Sequence, residues 1–533
     1  MILKVRSIAN ALPPANRLPS QIFSYISAPE SVIIASGFVV PLPSRERAAV
    51  THVCHYWREA AIASPTLWSK IGTSQPDLVR SFLSRSGGHP LEVITMPLQR
   101  SYEGPPSFGA LLPHLNRIKT LTVGMSQKVY GKDYLLAEVT VPSLERLCII
   151  ASGEDSTYPA DWIPRLFAGN TQAPRLQHLC LSFTPLTSPF KFGNLSHLCF
   201  DRVPSFGSKL PVVLEMLACN PNLQELLLSQ EGRTTNFDLD PFSKPYIRLH
   251  SLRKFRIVDT SAPAIAYLLS ALELEENGLA MDFKSIHNNT KIFAAMFPPT
   301  FPCGPPIFRA PKVELDCVGD RYFVIQTTGP ASSVRIETQI PRSEQQPHPT
   351  RVLGEQHPRP HVVKELWIHA RYPSLSGPLY FIPHSREFPN VETLVIKSSE
   401  STIIDELGFV IGPEGKYPLL STLVLYILCW TFVGFCKFAE LLRHHHTNLR
   451  TVWVGAMVWV DWEVVVKVLD DIAKDNGTLA FEVDDLNLYT DFGGMELPEV
   501  CTVGYPTWLV WKCGIRRTEL GVMIFAGFLP FSF

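Results

Sequence analysis

Charge is scarce in this sequence and neither sign is in excess. Asp, Glu, Lys and Arg make up 18% of its 533 residues, and the formal net charge at pH 7 is −1. Gripping a phosphate backbone takes a surplus of Lys and Arg, so nucleic acid is not an expected partner. Cysteine pairs at C-x-x-C spacing are absent, and an odd total of 11 cysteines, spread from Cys54 to Cys513, fits neither a disulfide framework nor the common zinc modules. A reducing compartment follows, cytoplasmic or nuclear. Before Pro13 and Pro14 there is no uninterrupted apolar run of signal-peptide length. The N-x-S/T sequons at Asn194, Asn288 and Asn476 are therefore read as coincidence. Walker A, G-x-G-x-x-G, H-E-x-x-H and G-x-S-x-G are all missing. Without those signatures the expectation is a non-enzymatic chain that uses no cofactor and no metal.

What is present is apolar bulk, 46% of the residues, together with 46 prolines. That combination argues against disorder and against a protein of long helices. The length suits several modules or a repeat array. Residues 419–436, LLSTLVLYILCWTFVGFC, are eighteen residues without a charge, at the threshold for a membrane-spanning helix. Repeat spacing divides them instead into a buried strand ending near Tyr426 and a helix starting near Thr431. The apolar stretch Leu520–Phe533 is interrupted by Pro530 and is too short to span. No membrane is expected as a partner.

Near the N-terminus, LPSQIFSYI places Leu18, Ile22, Phe23 and Ile26 at helical spacing, with Pro19 at the start, where a proline loses no hydrogen bond. THVCHYWREAAIA (51–63) repeats the pattern with Val53, Cys54 and Trp57, and SPTLW ends it on Leu67 and Trp68. Leu18, Pro19, Ile22, Ile26, Val53, Cys54, Trp57, Leu67 and Trp68 together resemble the F-box, a short three-helix module. PDLVRSFLSRSGGHPLEVITM (76–96) resembles the helix and strand that follow the F-box in the large family of mushroom-type fungi. The sequence departs from that pattern at Gln21, where Glu is usual, and in an interval, 27–47, that is longer and more apolar than the family's linker. The resemblance implies a module at 12–71 and a connecting helix and strand at 72–110. It further implies docking on a Skp-type adaptor, and through it a cullin, by Leu18, Pro19, Ile22, Phe23, Ile26, Val53, Cys54, Trp57, Leu67 and Trp68. In that case the rest of the chain would select a target protein for a ubiquitin ligase. A scaffold whose F-box no longer recruits a ligase is the alternative.

The body of the chain repeats L-x-x-L-x-L, often after Pro-Asn or Pro-x. The first apolar positions are Leu144, Leu176, Leu195, Leu223, Leu252, Val363, Val391, Leu420 and Leu449, with an earlier member at Ile118, Leu121 and Val123. The same step recurs from Leu195 to Leu223 to Leu252 and from Val363 through Val391 and Leu420 to Leu449. Its length is that of a leucine-rich repeat with a helix in each crossover. Leu210, Val213, Leu214 and Leu217 fall on one helical face, as do Ile265, Leu268, Leu269 and Leu272, and then Val465, Leu469 and Ile472. The expected fold class is α/β. An irregular leucine-rich-repeat-like solenoid over 111–500 is broken near a Pro/His-rich stretch at 341–361 and followed by a tail at 501–533. Because strand side chains alternate, the positions between the inward leucines form the candidate target-binding face. They include Lys254, Arg256, Glu365, Trp367, His369, Tyr426 and Trp453.

The remaining groups that could ligate a metal are the His444–His446 triplet and a grid of Cys148, His178, Cys180, His197 and Cys199 in matching repeat positions. Consecutive side chains on a helix end diverge, and side chains on one face of a sheet run parallel, whereas a metal needs convergence. Neither is expected to bind one.

Overall fold

The structure, a computed structural model, describes residues 31–33, 39–41, 51–52, 54–73, 76–95, 108–126, 140–152, 173–184, 186, 192–204, 209–231, 246–275, 278–286, 312–318, 322–329, 333–339, 362–370, 388–400, 403–404, 407–408, 417–429, 431–444, 448–458, 467–472, 474 and 480–485. It is an α/β protein whose sheet strands are mostly parallel. Two compact units divide the chain, Met1–Pro204 and Ser205–Phe533.

In the first unit, β1 (Ser31–Ile33) and β2 (Val39–Pro41) form an antiparallel pair inside the long 27–47 interval. Helix α1 (His55–Ile62) and a 3-10 turn over Pro65–Trp68 follow. Then come β3 (Lys70–Gly72), α2 (Pro76–Arg85) and β4 (Leu91–Thr95). Next are β5 (Ile118–Ser126), β6 (Arg146–Ser152), β7 (His178–Ser182) and β8 (His197–Pro204). Strands β3 to β8 pair in sequence order and all in parallel. Trp68 ties the two helices together. Its Nε1–H donates to the Ala61 carbonyl at 2.7 Å, its ring meets Phe82 edge-on at 5.0 Å, and the Arg85 guanidinium lies over it at 4.6 Å.

In the second unit the strands are β9 (Glu225–Glu231), β10 (Ile247–Leu249), β11 (Lys254–Val258), β12 (Leu272–Leu274) and β13 (Ala280–Ile286). They continue with β14 (Lys312–Val318), β15 (Tyr322–Thr328), β16 (Ser333–Gln339), β17 (Glu365–Ala370), β18 (Thr393–Glu400), β19 (Thr422–Cys429), β20 (Thr451–Val458) and β21 (Ala480–Asp485). Strands β10 and β12 form a separate parallel pair. The main sheet runs β9, β11, β13, β16, β15, β14, β17, β18, β19, β20, β21 in space. The Pro/His-rich stretch at 341–361 lies outside the described residues, but strands on either side of it pair with one another. Strand β15 runs antiparallel to both β14 and β16, and these in turn pair in parallel with β17 and β13. Only three residues separate β14 from β15 and four separate β15 from β16. Connections that short can join antiparallel neighbours but not parallel ones.

The repeat sequence explains the repeated geometry. Before β6, β7, β9, β11 and β19 the chain makes a tight turn in which the N–H of the first leucine bonds back three residues: Leu144 to Val141, Leu176 to Ala173, Leu223 to Asn220, Leu252 to Leu249 and Leu420 to Tyr417. Pro142, Pro174, Pro221 and Pro418 occupy the second position of four of these turns, where the φ that the proline ring fixes is the one the turn requires. Two successive N–H groups after that leucine then donate to one carbonyl of the preceding repeat. Gln177 and His178 reach Glu145, Arg253 and Lys254 reach Gln224, Ser421 and Thr422 reach Glu392, and Arg450 and Thr451 reach Ser421. The strand begins there with its phase already set. All three leucine-type positions are buried, for example Leu223, Leu226 and Leu228, and Val391, Leu394 and Ile396. Each such side chain contributes about 1.5–3 kcal/mol of apolar burial.

Among the helical crossovers are α3 (Leu210–Ala218), α4 (Ala262–Ala271) and α5 (Phe432–His444). Pro211 and Pro263 open the first two, and Val213, Leu214 and Leu217, then Ile265, Leu268 and Leu269, are buried. Leu469 and Ile472, on a further helical stretch at 467–472, are buried as well, whereas Val465 lies outside the described residues. Helix α5 starts where Thr431 Oγ1 accepts the Gly434 N–H at 3.0 Å, an N-cap that ends the apolar run of β19. Residues 419–436 are thus a strand and a helix. Among the described residues no helix is long and apolar enough to cross a membrane.

Candidate functional site

Of the expected adaptor-binding residues, Leu18, Pro19, Ile22, Phe23, Ile26 and Val53 lie outside the described residues. Leu67 and Trp68 are buried completely, so they hold α1 against α2 and offer a partner no surface. Trp57 is half-buried and Cys54 is exposed. The exposed apolar surface of α1 belongs instead to Tyr56, 59% exposed, and Ile62, 42% exposed. Tyr56 did not stand out in the sequence, because an amphipathic pattern marks the buried stripe and leaves outward apolar residues unassigned, whereas Ile62, which recurs at helical spacing with Trp57 and Ala61 and so reads as part of that stripe, is exposed instead.

The candidate target-binding residues fall at two places on one face of the second unit's sheet. Lys254 and Arg256 sit on β11. Lys254 is only 3% exposed and pairs with Glu225 at 3.7 Å, while the Arg256 Nε lies 3.3 Å from the buried Asp282 carboxylate. Burial pushes the Glu225 carboxyl up, and the Lys254 charge opposes it. Lys254 therefore belongs to a buried ion pair, which corrects its assignment to an open recognition face.

Glu365, Trp367, His369, Tyr426 and Trp453 do come together, on β17 to β20. The register aligns Trp367, Val395, Val424 and Trp453 in one row across four strands. A second row on the same face holds Glu365, Thr393, Thr422 and Thr451, and a third holds His369, Lys397, Tyr426 and Gly455. Trp453, 36% exposed, is the most open of these aromatics, whereas His369 is buried and so leaves the accessible set. Trp367 donates its Nε1–H to Glu365 at 2.6 Å, and Glu365 also pairs with Lys312 at 3.1 Å. Lys397 is the residue that sequence reading missed. Its ammonium sits 4.8 Å from the Trp367 ring centroid and 5.5 Å from that of Tyr426, so both ring faces stabilise the buried cation. Alignment of the repeats reveals it, since Lys397 occupies the position of His369 and Tyr426 one strand away.

The cysteine and histidine grid of the first unit is also in register. Cys148, Cys180 and Cys199 align across β6, β7 and β8, and Arg146, His178 and His197 form the next row. The two imidazoles stack at 4.0 Å with an interplanar angle of 21°. Burial, with the Arg146 charge adding to it, pushes His178 down to about 4, so the His178 ring is neutral at neutral pH. Stacked rings and parallel thiols do not converge on one point. Among the described residues no three or more His, Cys, Asp or Glu side chains are arranged to hold a metal ion.

Compared with known proteins, the chain matches no family model and no curated protein.

Proposed function

We propose that this chain is the substrate-recognition subunit of a ubiquitin ligase of the Skp-adaptor, cullin and F-box type. Residues 12–71 form the F-box-like module that docks the adaptor, and the leucine-rich-repeat-like solenoid over 111–500 selects a target protein. The observation that carries the reading is the pattern on β17 to β20. Consecutive repeats of near-equal length bury their leucines on one side. On the other side they leave a row, Trp367 to Trp453, of two tryptophans separated by valines. Tryptophan at the centre of a desolvated patch is a frequent anchor of protein interfaces. For the adaptor side the support is the order LP, VCxxW and LW, together with the exposed Tyr56 and Ile62 of α1 just before the buried Leu67 and Trp68.

The antiparallel β1–β2 pair lies in sequence between the two segments, 18–26 and 51–63, that carry the F-box-like pattern. It favours a second reading, a repeat scaffold whose degenerate module does not recruit a ligase. Co-purification with a Skp-type adaptor separates the two. Wild-type chain should retain the adaptor, and Leu18→Ala combined with Pro19→Ala should lose it while hydrogen exchange in β17 to β20 stays unchanged. A wild-type chain that captures a target but no adaptor establishes the scaffold reading. Trp453→Ala should weaken capture of a target isolated with the wild-type chain by more than about 1 kcal/mol and leave folding intact. Undiminished capture removes Trp453 from the recognition surface.

A further inference from the structure

The row of thiols in the first unit is not among the residues assigned above to adaptor or target binding, and its geometry is unusual. Cys148, Cys180 and Cys199 occupy equivalent positions on three adjacent parallel strands. In-register Cα atoms on neighbouring strands stand about 4.8 Å apart, inside the range of about 4.4–6.8 Å that a disulfide spans. The Cys148 and Cys199 thiols both act on the Cys180 thiol between them, so the three side chains lie within interaction range on one face of the sheet. None of the three is in a disulfide, and Cys180 and Cys199 are buried while Cys148 is half-buried at the accessible end of the row.

We propose that this row is an oxidisable thiol site in which Cys148 and Cys180 close an intrachain disulfide when a hydroperoxide reaches Cys148. Hydrogen peroxide takes the Cys148 thiol to the sulfenic acid and releases one water. The Cys180 thiol then attacks that sulfur, forms the S–S bond and expels the oxygen as a second water. Overall two thiols lose two hydrogens and the peroxide is reduced to water. Access dictates the order. Burial, with the neighbouring thiols adding to it, holds the Cys180 thiol well above the usual range, so it is protonated and inert toward peroxide on its own. It gains a partner only when the oxidised sulfur of Cys148 lies against it. The bond would tie β6 to β7 across the crossover at 153–177.

The test uses the full-length chain, reduced, freed of reductant, treated with hydrogen peroxide, alkylated and mapped by mass spectrometry without reduction. The expected product is a pair of linked peptides carrying Cys148 and Cys180, lighter by two hydrogens and separated again by dithiothreitol. Cys148→Ser should leave Cys180 free after the same treatment, and Cys180→Ala should leave Cys148 as a sulfenic acid that dimedone traps. If Cys180→Ala does not fold, phenylarsine oxide on the wild-type chain supplies the second measurement. Its arsenic, giving up oxygen as water, should bridge Cys148 and Cys180 and protect both from alkylation. A disulfide joining another pair, irreversible oxidation of Cys148 beside a free Cys180, or no protection by the arsenical overturns the proposal.

Discussion

Leu419, Leu420 and Leu423 offer a test of the register on which the second unit depends. Leu423 is fully buried, flanked in register by Leu394 on β18 and Val452 on β20, and Leu420 is buried at the end of the preceding turn. Leu419, the third residue of that turn, is 50% exposed. Leu423→Ala removes three buried carbons from between two other aliphatic side chains, at a cost of about 2–5 kcal/mol, whereas Leu419→Ala should stay within about 0.5 kcal/mol of wild type. Hydrogen exchange of peptides spanning β18 to β20, in the full-length chain, reads these energies locally. At about 1.4 kcal/mol per tenfold, the Leu423 variant should exchange roughly 30-fold to several-thousand-fold faster and the Leu419 variant at most a few times faster. A continuous helix over 419–436 would put Leu419 and Leu423 on one face, four residues apart, and make the two substitutions alike. Equal effects, or the larger effect at Leu419, would refute the strand register.

Other outcomes follow from named contacts. Trp68→Phe should destabilise the module by about 0.5–1.5 kcal/mol, since the Ala61 carbonyl loses one of its two donors and keeps the Ser64 N–H, and should speed proteolysis within 51–95; unchanged proteolysis would show that the Trp68 bond is dispensable. Lys397→Met keeps the aliphatic stem and removes the charge, so a loss of about 0.5–2 kcal/mol in the exchange of β17 to β19 measures the cation–π contribution, and no loss would show that the rings do not hold the ammonium. His178 titrates lower in the folded chain, at about 4, than its ordinary value of 6.5, so the unfolded chain binds the proton first. Stability should therefore fall as pH drops through 6.5 and level off below about 4. With the ring still partly exposed the penalty should reach only on the order of 1–2 kcal/mol, and His178→Asn should abolish this slope in thermal melts if Arg146 and burial cause it.

The repeats were legible because everything that defines them is local. A proline turn, a buried leucine after it and two more at alternate positions fit within one short stretch, and each stretch points to the same strand phase. The split of residues 419–436 followed from that spacing, and Thr431 supplies its physical cause as the cap of α5. Strand direction was not legible for β14 to β16, because alternation marks a strand without giving its sense; the short connections carry that information. Lys254 and His369 were misplaced on an open face because position on a strand fixes the side of the sheet and not what covers it. Lys397 was overlooked for the opposite reason, since its surroundings come from the two neighbouring strands and become visible only when β17, β18 and β19 are aligned.

The doubled amide donation at each turn bears on how such a chain changes length. Lys364, Glu392 and Ser421 present equivalent carbonyls, each receiving two N–H groups from the next turn. Thr393 and Thr422 stand opposite one another in register, one repeat apart. Excising residues 393–421 would bring Thr422 into the place of Thr393 and leave Glu392 to accept from Arg450 and Thr451 as Ser421 does now, with every donor matched. Losing one residue from within a turn would instead strand two amides and turn the following leucines toward water. Whole-unit duplication and loss are thus open to this sequence as neutral steps in its history, and single-residue insertions or deletions should collect outside the turns.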